Sequence, residues 1–155
     1  MAKPVPGDMI VLDANILIRA VLGRRVRQLL EIYAPKSVRF FAPDVALDDA
    51  RTYLPYLLRK RGKPDHDVSA SLDYLGQMIE RVEAEIYGIF EDQARQRLHG
   101  RDEDDWPILA TALALGCGIW TEDLDFFGSG VPIWTTSRVE IFLASEVKAK
   151  EQTLE

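Results

Sequence analysis

The sequence has little of what several common kinds of functional site require. It contains one cysteine and two histidines, so a disulfide framework and every multi-cysteine zinc site are excluded. It has no G-x-x-x-x-G-K-[ST] or G-x-G-x-x-G loop, which excludes the nucleotide-binding enzymes that depend on these loops. It also lacks an apolar run of about 18 residues and the hydrophobic core of a signal peptide. We therefore expect a cytoplasmic protein with no membrane segment.

The composition is that of a folded domain with an acidic balance. The 155 residues are 47% hydrophobic and 28% charged, and the formal net charge is −6. A chain of this length forms one domain and buries a core without a structural metal. We expect a flexible leader at residues 1–8, a single domain at 9–146 and a polar tail at 147–155. The net charge argues against a simple basic-patch binder of nucleic acid.

Short apolar runs alternate with helical patterns along the chain. We predict strands at residues 9–12, 38–41, 79–82, 118–121 and 131–134. We predict helices at residues 16–22, 26–33, 43–58, 68–78, 86–98, 107–115 and 138–145. The continuous apolar run Met9–Leu12 is typical of a strand buried on both faces. The alternation predicts an α/β fold with a central, mainly parallel sheet and helices on both faces.

Acidic residues follow two of these predicted strands. Asp13 comes directly after the strand at 9–12, and Asp123 comes just after the strand at 118–121. Ligands in an open parallel sheet bind beyond the carboxyl ends of the strands, so both carboxylates are expected at the same edge of the sheet. The alternative for each of them is a helix cap, the commonest role of an Asp just before a helix.

Two further segments bring carboxylates toward that edge. Asp105 lies at the first turn of the helix at 107–115, where it borders an apolar face. Asp49 falls at the edge of the apolar stripe of the helix at 43–58, and we expect it to be half-buried. Asp48 lies further round that helix and is expected to be solvated. Converging carboxylates without basic partners repel one another, and their simplest partners are Mg²⁺ or Mn²⁺, which prefer oxygen ligands.

Three segments resemble the PIN-domain ribonucleases. The segment MIVLDANILIRAVLG is similar to the opening strand and helix of that family, whose first metal-binding Asp ends the strand. The second half of the family's pattern is an Asp before a helix and then a strand ending T-x-D-x-D-F. It is resembled by the segment DEDDWPILATALALGCGIWTEDLDF. FAPDVALDDARTYL is similar to the intervening helix. Together these segments cover about residues 9–135, and they imply a PIN-like three-layer α/β/α fold.

Carried over by position, the resemblance implies a set of catalytic, metal-binding acids, which are Asp13, Asp49, Asp105 and Asp123. Asp48 is the alternative to Asp49, and either one replaces the Glu that is usual in the family. Asn15 and Thr121 match polar positions that orient the acids. Asp125 matches a frequent extra acid, which either supports the other acids or is solvated.

The resemblance also implies an activity and partners. PIN-domain ribonucleases hydrolyse RNA phosphodiester bonds with Mg²⁺ or Mn²⁺, and many small prokaryotic members are VapC-type toxins that are held inactive by an antitoxin and are commonly dimeric. An RNA substrate, an antitoxin and a homodimer are therefore the implied partners. Basic side chains are either solvated helix ends or contacts to RNA phosphates; they are Arg24, Arg25, Arg59, Lys60 and Arg61.

Three alternatives can be compared with this interpretation. A haloacid dehalogenase-type phosphatase has a second Asp two residues after the first, where this chain has Asn15. A receiver domain has a Lys on a late strand, and residues 118–134 contain no Lys. A non-catalytic PIN-like module that binds RNA or a protein stays open, because the Asp in place of Glu at position 49 weakly favours it.

Overall fold

A parallel β-sheet forms the centre of the protein. The computed structural model describes residues 9–64 and 66–154, so the predicted leader lies outside the described residues. The strands are Met9–Leu12 (β1), Arg39–Pro43 (β2), Ile79–Val82 (β3), Gly118–Trp120 (β4) and Ile133–Trp134 (β5). They are ordered β3-β2-β1-β4-β5, and every pairing between neighbours is parallel. The predicted parallel sheet is confirmed.

Helices cover both faces of this sheet. They are Ala14–Leu22 (α1), Arg25–Tyr33 (α2), Asp44–Lys60 (α3), Val68–Leu75 (α4), Ala84–Tyr87 (α5), Glu91–Arg97 (α6), Trp106–Leu115 (α7) and Val139–Leu154 (α8). The chain steps from β1 to β2 to β3 in one direction and returns to β4 in the other. Right-handed crossovers then place α1 to α4 on one face and α5 to α7 on the other. This is the α/β/α arrangement that the sequence predicted.

The position of β1 decides where a ligand can bind. All four of its residues are buried, and it pairs with β2 on one side and β4 on the other. The chain leaves β1 toward β2 and reaches β4 only later, so the strand order reverses between β1 and β4. Such a reversal opens a crevice at the carboxyl ends of the two strands. Asp13 and Thr121 are the residues that immediately follow these two strands.

Close packing of helices and strands fixes this edge. Helix α7 lies against β1, β2 and β4, and its residues from Pro107 to Ala112 are all buried. Gly118 at the start of β4 lies so near β5 that an added Cβ would come within 2.7 Å of the Pro132 carbonyl oxygen. A side chain at that position would push β5 away from the sheet. None of the helices in the described ranges has the length and apolar character that a membrane crossing needs.

Several predicted helix boundaries were wrong. Pro43 is the last residue of β2 and not part of the next helix, which begins at Asp44. The helix predicted at 86–98 is split by a 3₁₀ turn at Gly88–Phe90 into α5 and α6. The last helix continues past residue 145 to Leu154, through the region predicted as a polar tail. That region contains two Glu, two Lys, a Gln and an Ala between residues 146 and 154, all good helix formers.

Candidate functional site

Asp13 lies at the carboxyl end of β1 and has two hydrogen-bonded roles. One carboxylate oxygen accepts the Ile16 backbone N–H at 3.0 Å and so caps α1, while the other accepts the Thr121 hydroxyl. Its side chain is buried, with 5% exposed. Burial raises the pKa of the Asp13 carboxyl; the hydrogen bonds from Thr121 and Ile16 lower it, and the charge of Asp123 raises it further. The same side chain therefore caps α1 and is held by the residue that follows β4.

Thr121 joins the first acid to the last. Its hydroxyl donates to Asp13 and accepts the backbone N–H of Asp123 at 2.9 Å, and the side chain is fully buried. Asp123 in turn accepts the backbone N–H of Asp125 at 2.9 Å, at the start of the 3₁₀ turn Leu124–Phe126. The T-x-D-x-D segment thus brings the Asp123 carboxylate to the cleft that Asp13 also lines, with Asp125 one turn beyond it.

Asp105 reaches the same place from the beginning of α7. Asp105, Asp123 and Asp125 are half-buried, and each has a carboxylate oxygen within 4.8 Å of the other two. Burial raises the pKa of Asp105 to about 7, with a hydrogen bond to Asp123 and the charges of Asp102, Asp123 and Asp13 adding to the effect. Three acidic oxygens this close are the donor type and spacing that a hard divalent cation takes.

A cleft of about 190 Å³ is lined by Asp105 and Asp123 of this group, whereas Asp125 lies outside its lining. All four predicted acids line it, and so does Asn15; the four are Asp13, Asp49, Asp105 and Asp123. Within the described ranges, no Lys or Arg lines it. Asp49 is exposed and not half-buried as expected, because α3 turns that face to solvent at the rim of the cleft. The cleft is therefore an acidic depression without a protein cation in its lining.

Asp48 points to a different surface. Its carboxylate accepts a hydrogen bond from the Arg81 guanidinium at 3.2 Å, and it does not line the cleft. Arg81 also pairs with Glu83 at 2.8 Å. The sequence offered no sign of this pairing, since Arg81 comes from β3 and approaches α3 only in the folded chain. Of the two adjacent acids, Asp49 faces the cleft and Asp48 has a partner elsewhere.

Two arginines that the sequence analysis did not single out hold the loop after Asp123. The Arg101 guanidinium donates to the carbonyl oxygens of Asp125, at 2.7 Å, and Phe127. Arg97 donates to the Ser129 carbonyl oxygen at 2.9 Å. Their targets are backbone carbonyls, so no sequence motif signals the contacts. They fix the loop that carries Asp125 beside the cleft.

The predicted basic contacts divide into two groups. Arg24, Arg25 and Arg61 line one cavity of about 350 Å³, together with Arg19, which the sequence analysis did not select. Arg59 and Lys60 are exposed at the end of α3 and do not line that cavity. The Lys60 ammonium lies 5.0 Å from the centre of the Tyr56 ring.

Comparison with known proteins agrees with this architecture. Residues 11–144 match the family model of the PIN domain, whereas no curated protein matches the chain. A chain in the crystal structure of VapBC2 from Rickettsia felis bound to a DNA fragment from their promoter superposes with a TM-score of 0.62 at 17% identity, over 82% of this chain and 98% of that one. A chain of a toxin-antitoxin complex from Klebsiella pneumoniae superposes with a TM-score of 0.58 at 20% identity, over 82% of this chain and 97% of that one. These two likenesses concern the fold, and the family match extends over most of the sequence: the chain belongs to the PIN-domain family.

Proposed function

We propose that this protein is a divalent-metal-dependent ribonuclease that hydrolyses RNA phosphodiester bonds. The observation that carries the proposal is the convergence of Asp13, Asp105 and Asp123 in one cleft, to whose lining the described part of the chain contributes no basic residue. Folding brings these carboxylates together although burial and mutual repulsion both oppose it: burial first, then the hydrogen bond to Asp123 and the charges of neighbouring acids, raise the pKa of Asp105. A cluster that is unfavourable by itself and open to solvent fits a site that is completed by a cation.

The donor set fits Mg²⁺ or Mn²⁺. Every candidate ligand is a carboxylate oxygen, and those of Asp105, Asp123 and Asp125 lie within 4.8 Å of one another, with Asp13 beside them in the lining of the cleft. In this proposal Asp13, Asp105 and Asp123 hold the metal, Asp125 supports it, and Asp49 completes the set from the rim of the cleft. When bound, such a cation acidifies water for attack and stabilises the charge that develops on a phosphoryl group.

The chain's own residues orient the groups around the reacting phosphodiester. Thr121 fixes the carboxylate of Asp13 by its hydroxyl and the backbone of Asp123 by its oxygen. Asn15 is exposed on the first turn of α1 beside Asp13, so its amide is placed to donate to a phosphate oxygen that enters the cleft. Asp49 faces the same space from α3. The cleft thus provides acids at its floor and one neutral donor at its side.

The activity is tested with a pool of single-stranded and structured RNA. We expect the purified protein to cleave the pool in Mn²⁺ or Mg²⁺. We expect cleavage to stop when EDTA is added, because the acids alone supply no positive charge to the phosphoryl group. Metal binding is measured separately by calorimetric titration with Mn²⁺. Metal binding without cleavage would indicate a narrower RNA target than the pool contains. A protein that neither binds metal nor cleaves would be the non-catalytic binding module instead.

We further propose that the nuclease is the toxin of a toxin–antitoxin pair, with an antitoxin and a second copy of the chain as protein partners. Support comes from the two structural neighbours, one a VapBC2 complex and the other a toxin-antitoxin complex. Induced expression of the chain alone in a bacterial host is expected to arrest growth, because cleavage of cellular RNA proceeds without an inhibitor. Growth at the uninduced rate, with active nuclease recovered from the same cells, would indicate a processing enzyme and contradict the toxin role.

A further inference from the structure

A second cavity, of about 350 Å³, is lined by four arginines: Arg19, Arg24, Arg25 and Arg61. We call it the arginine cavity. The four come from α1, from the start of α2 and from the residue after α3, so folding gathers them from three places in the chain. Arg25 pairs with Glu140 at 2.9 Å. Within residues 9–64 and 66–154 the other three guanidiniums form no ion pair with a carboxylate.

Three such guanidiniums side by side are unexpected in a chain with a net charge of −6. Exposed arginines in this protein commonly pair with acids, as Arg39 does with Glu80 at 3.1 Å and Arg81 does with Asp48 at 3.2 Å. Like charges that line a concave wall add their fields and concentrate anions there. A guanidinium presents its N–H groups in a planar fork that matches the oxygens of a phosphate. The arginine cavity therefore has the chemistry of a phosphate site.

Helix α1 connects the arginine cavity to the acidic cleft. Its first residues, Ala14 and Asn15, line the cleft, and Arg19 and Leu22 line the cavity. Asn15 and Arg19 are four residues apart and so share one face of the helix, separated by about 6 Å along its axis. Helix α3 packs against α1 and makes the same connection, from Asp49 in the cleft to Arg61 just beyond its end. A strand lying along α1 would meet both sites.

We propose that the arginine cavity binds a backbone phosphate of the RNA strand whose scissile phosphodiester lies in the acidic cleft. This inference rests on the proposed nuclease function and adds to it a fixed second anchor for the substrate. An acidic peptide is the other polyanion to consider. Bare carboxylates in the cleft repel both polyanions and a bound cation attracts both, so charge alone does not separate them. RNA is favoured because the proposed nuclease function places a phosphodiester strand in the cleft, and that strand continues along α1 to the cavity.

The test measures RNA binding in EDTA, so that no cleavage occurs; the cleft without its metal does not attract RNA, and binding then depends on contacts outside it. The double variant Arg24→Gln/Arg61→Gln removes two charges from the cavity, and the control Lys36→Gln/Lys63→Gln removes two exposed charges that line neither site. Binding of a fluorescently labelled, mixed-sequence single-stranded RNA is followed by anisotropy at several KCl concentrations. Each phosphate contact on a single strand contributes about 0.7 to the slope of log affinity against log salt.

We expect the cavity variant, which loses one phosphate contact, to lower that slope by about 0.7, so that its affinity falls about 2.6-fold less than that of the wild type between about 50 and 200 mM salt. The control is expected to keep the wild-type slope. An unchanged slope in the cavity variant, or an equal loss in the control, would overturn the proposal. The proposal would also be overturned if the wild-type protein bound no RNA at low salt. The same holds if the cavity variant kept its RNA binding and lost only its binding to an oligoglutamate peptide, measured in parallel.

These outcomes separate the cavity from the nuclease function. Metal-dependent cleavage together with cavity-independent RNA binding would overturn the arginine cavity as an anchor and leave the ribonuclease intact. Cavity-dependent RNA binding with no cleavage in any metal would keep the anchor and overturn the ribonuclease. Equal thermal melting of the two double variants would show that both are folded, as expected for substitutions of exposed side chains.

Discussion

Asp13→Asn is expected to lower the rate of RNA cleavage about a thousandfold while the protein stays folded. A metal ion stabilises the charge of a phosphoryl transition state by several kcal/mol, and each 1.36 kcal/mol is about a factor of ten in rate. Asn is as good a helix cap as Asp, so the hydrogen bond from the Ile16 N–H to residue 13 is expected to persist. Single-turnover cleavage with saturating Mn²⁺ measures the rate, and thermal melting measures the folding.

The matched control is Asp48→Asn, which makes the same chemical change on a residue outside the cleft. Loss of its exposed pair with Arg81 costs at most about 1 kcal/mol of stability, and the cleavage rate should stay within about twofold of wild type. Full activity in Asp13→Asn would remove Asp13 from the catalytic set. A strong loss in Asp48→Asn would identify Asp48 as the fourth acid and contradict the assignment to Asp49.

Thr121→Val is expected to lower both the stability of the protein and its affinity for metal. Valine has the same shape but removes the hydroxyl that donates to Asp13 and accepts the Asp123 N–H. A buried polar group that loses its hydrogen-bond partner lowers the free energy of unfolding by about 1–3 kcal/mol. In a chain of this size each kcal/mol lowers the Tm by about 2–4 °C. Residues that orient metal ligands commonly contribute about 10- to 100-fold in metal affinity. Mn²⁺ titration and thermal melting measure the two effects.

Thr111→Val provides the comparison for this variant. Thr111 is also fully buried, but its hydroxyl donates to the Pro107 carbonyl oxygen within α7, at 2.7 Å, and touches no acid. We expect a stability change of the same order and no change in Mn²⁺ affinity. If the two threonine variants weakened metal binding equally, Thr121 would be a packing residue without a specific role at the acids.

The acids at the strand ends could be predicted from the sequence because one rule of parallel sheets places them. Once Met9–Leu12 is recognised as a buried strand, the carboxyl-edge rule directs attention to Asp13, and the same reasoning reaches Asp123. Both predictions depend only on local apolar patterns and on the direction of the strands. The structure places both residues in one cleft, as the rule requires.

Contacts between side chains from segments that are distant in the sequence could not be predicted in this way. The separation of Asp48 from Asp49 depends on Arg81, which a different crossover brings to α3. Asp125 lies close to Asp105 because a 3₁₀ turn follows Asp123, and the sequence left its role open. Arg19 was overlooked because one arginine on a helix carries no signal until α2 and α3 place others beside it. Such contacts arise from pairings between distant segments rather than from any local pattern.

The late pairing of β1 with β4 has a consequence during protein synthesis. Thr121 and Asp13 touch across 108 residues of sequence. At about 5–20 residues per second, a ribosome needs about 5–20 s to add the segment between them. During that time the nascent chain carries Asp13 without Thr121 or Asp123, so the acidic centre is incomplete. A chain released before residue 118 would contain β1, β2 and β3 but lack β4 and the acids that follow it. The centre can therefore be completed only late, after most of the chain has been synthesised.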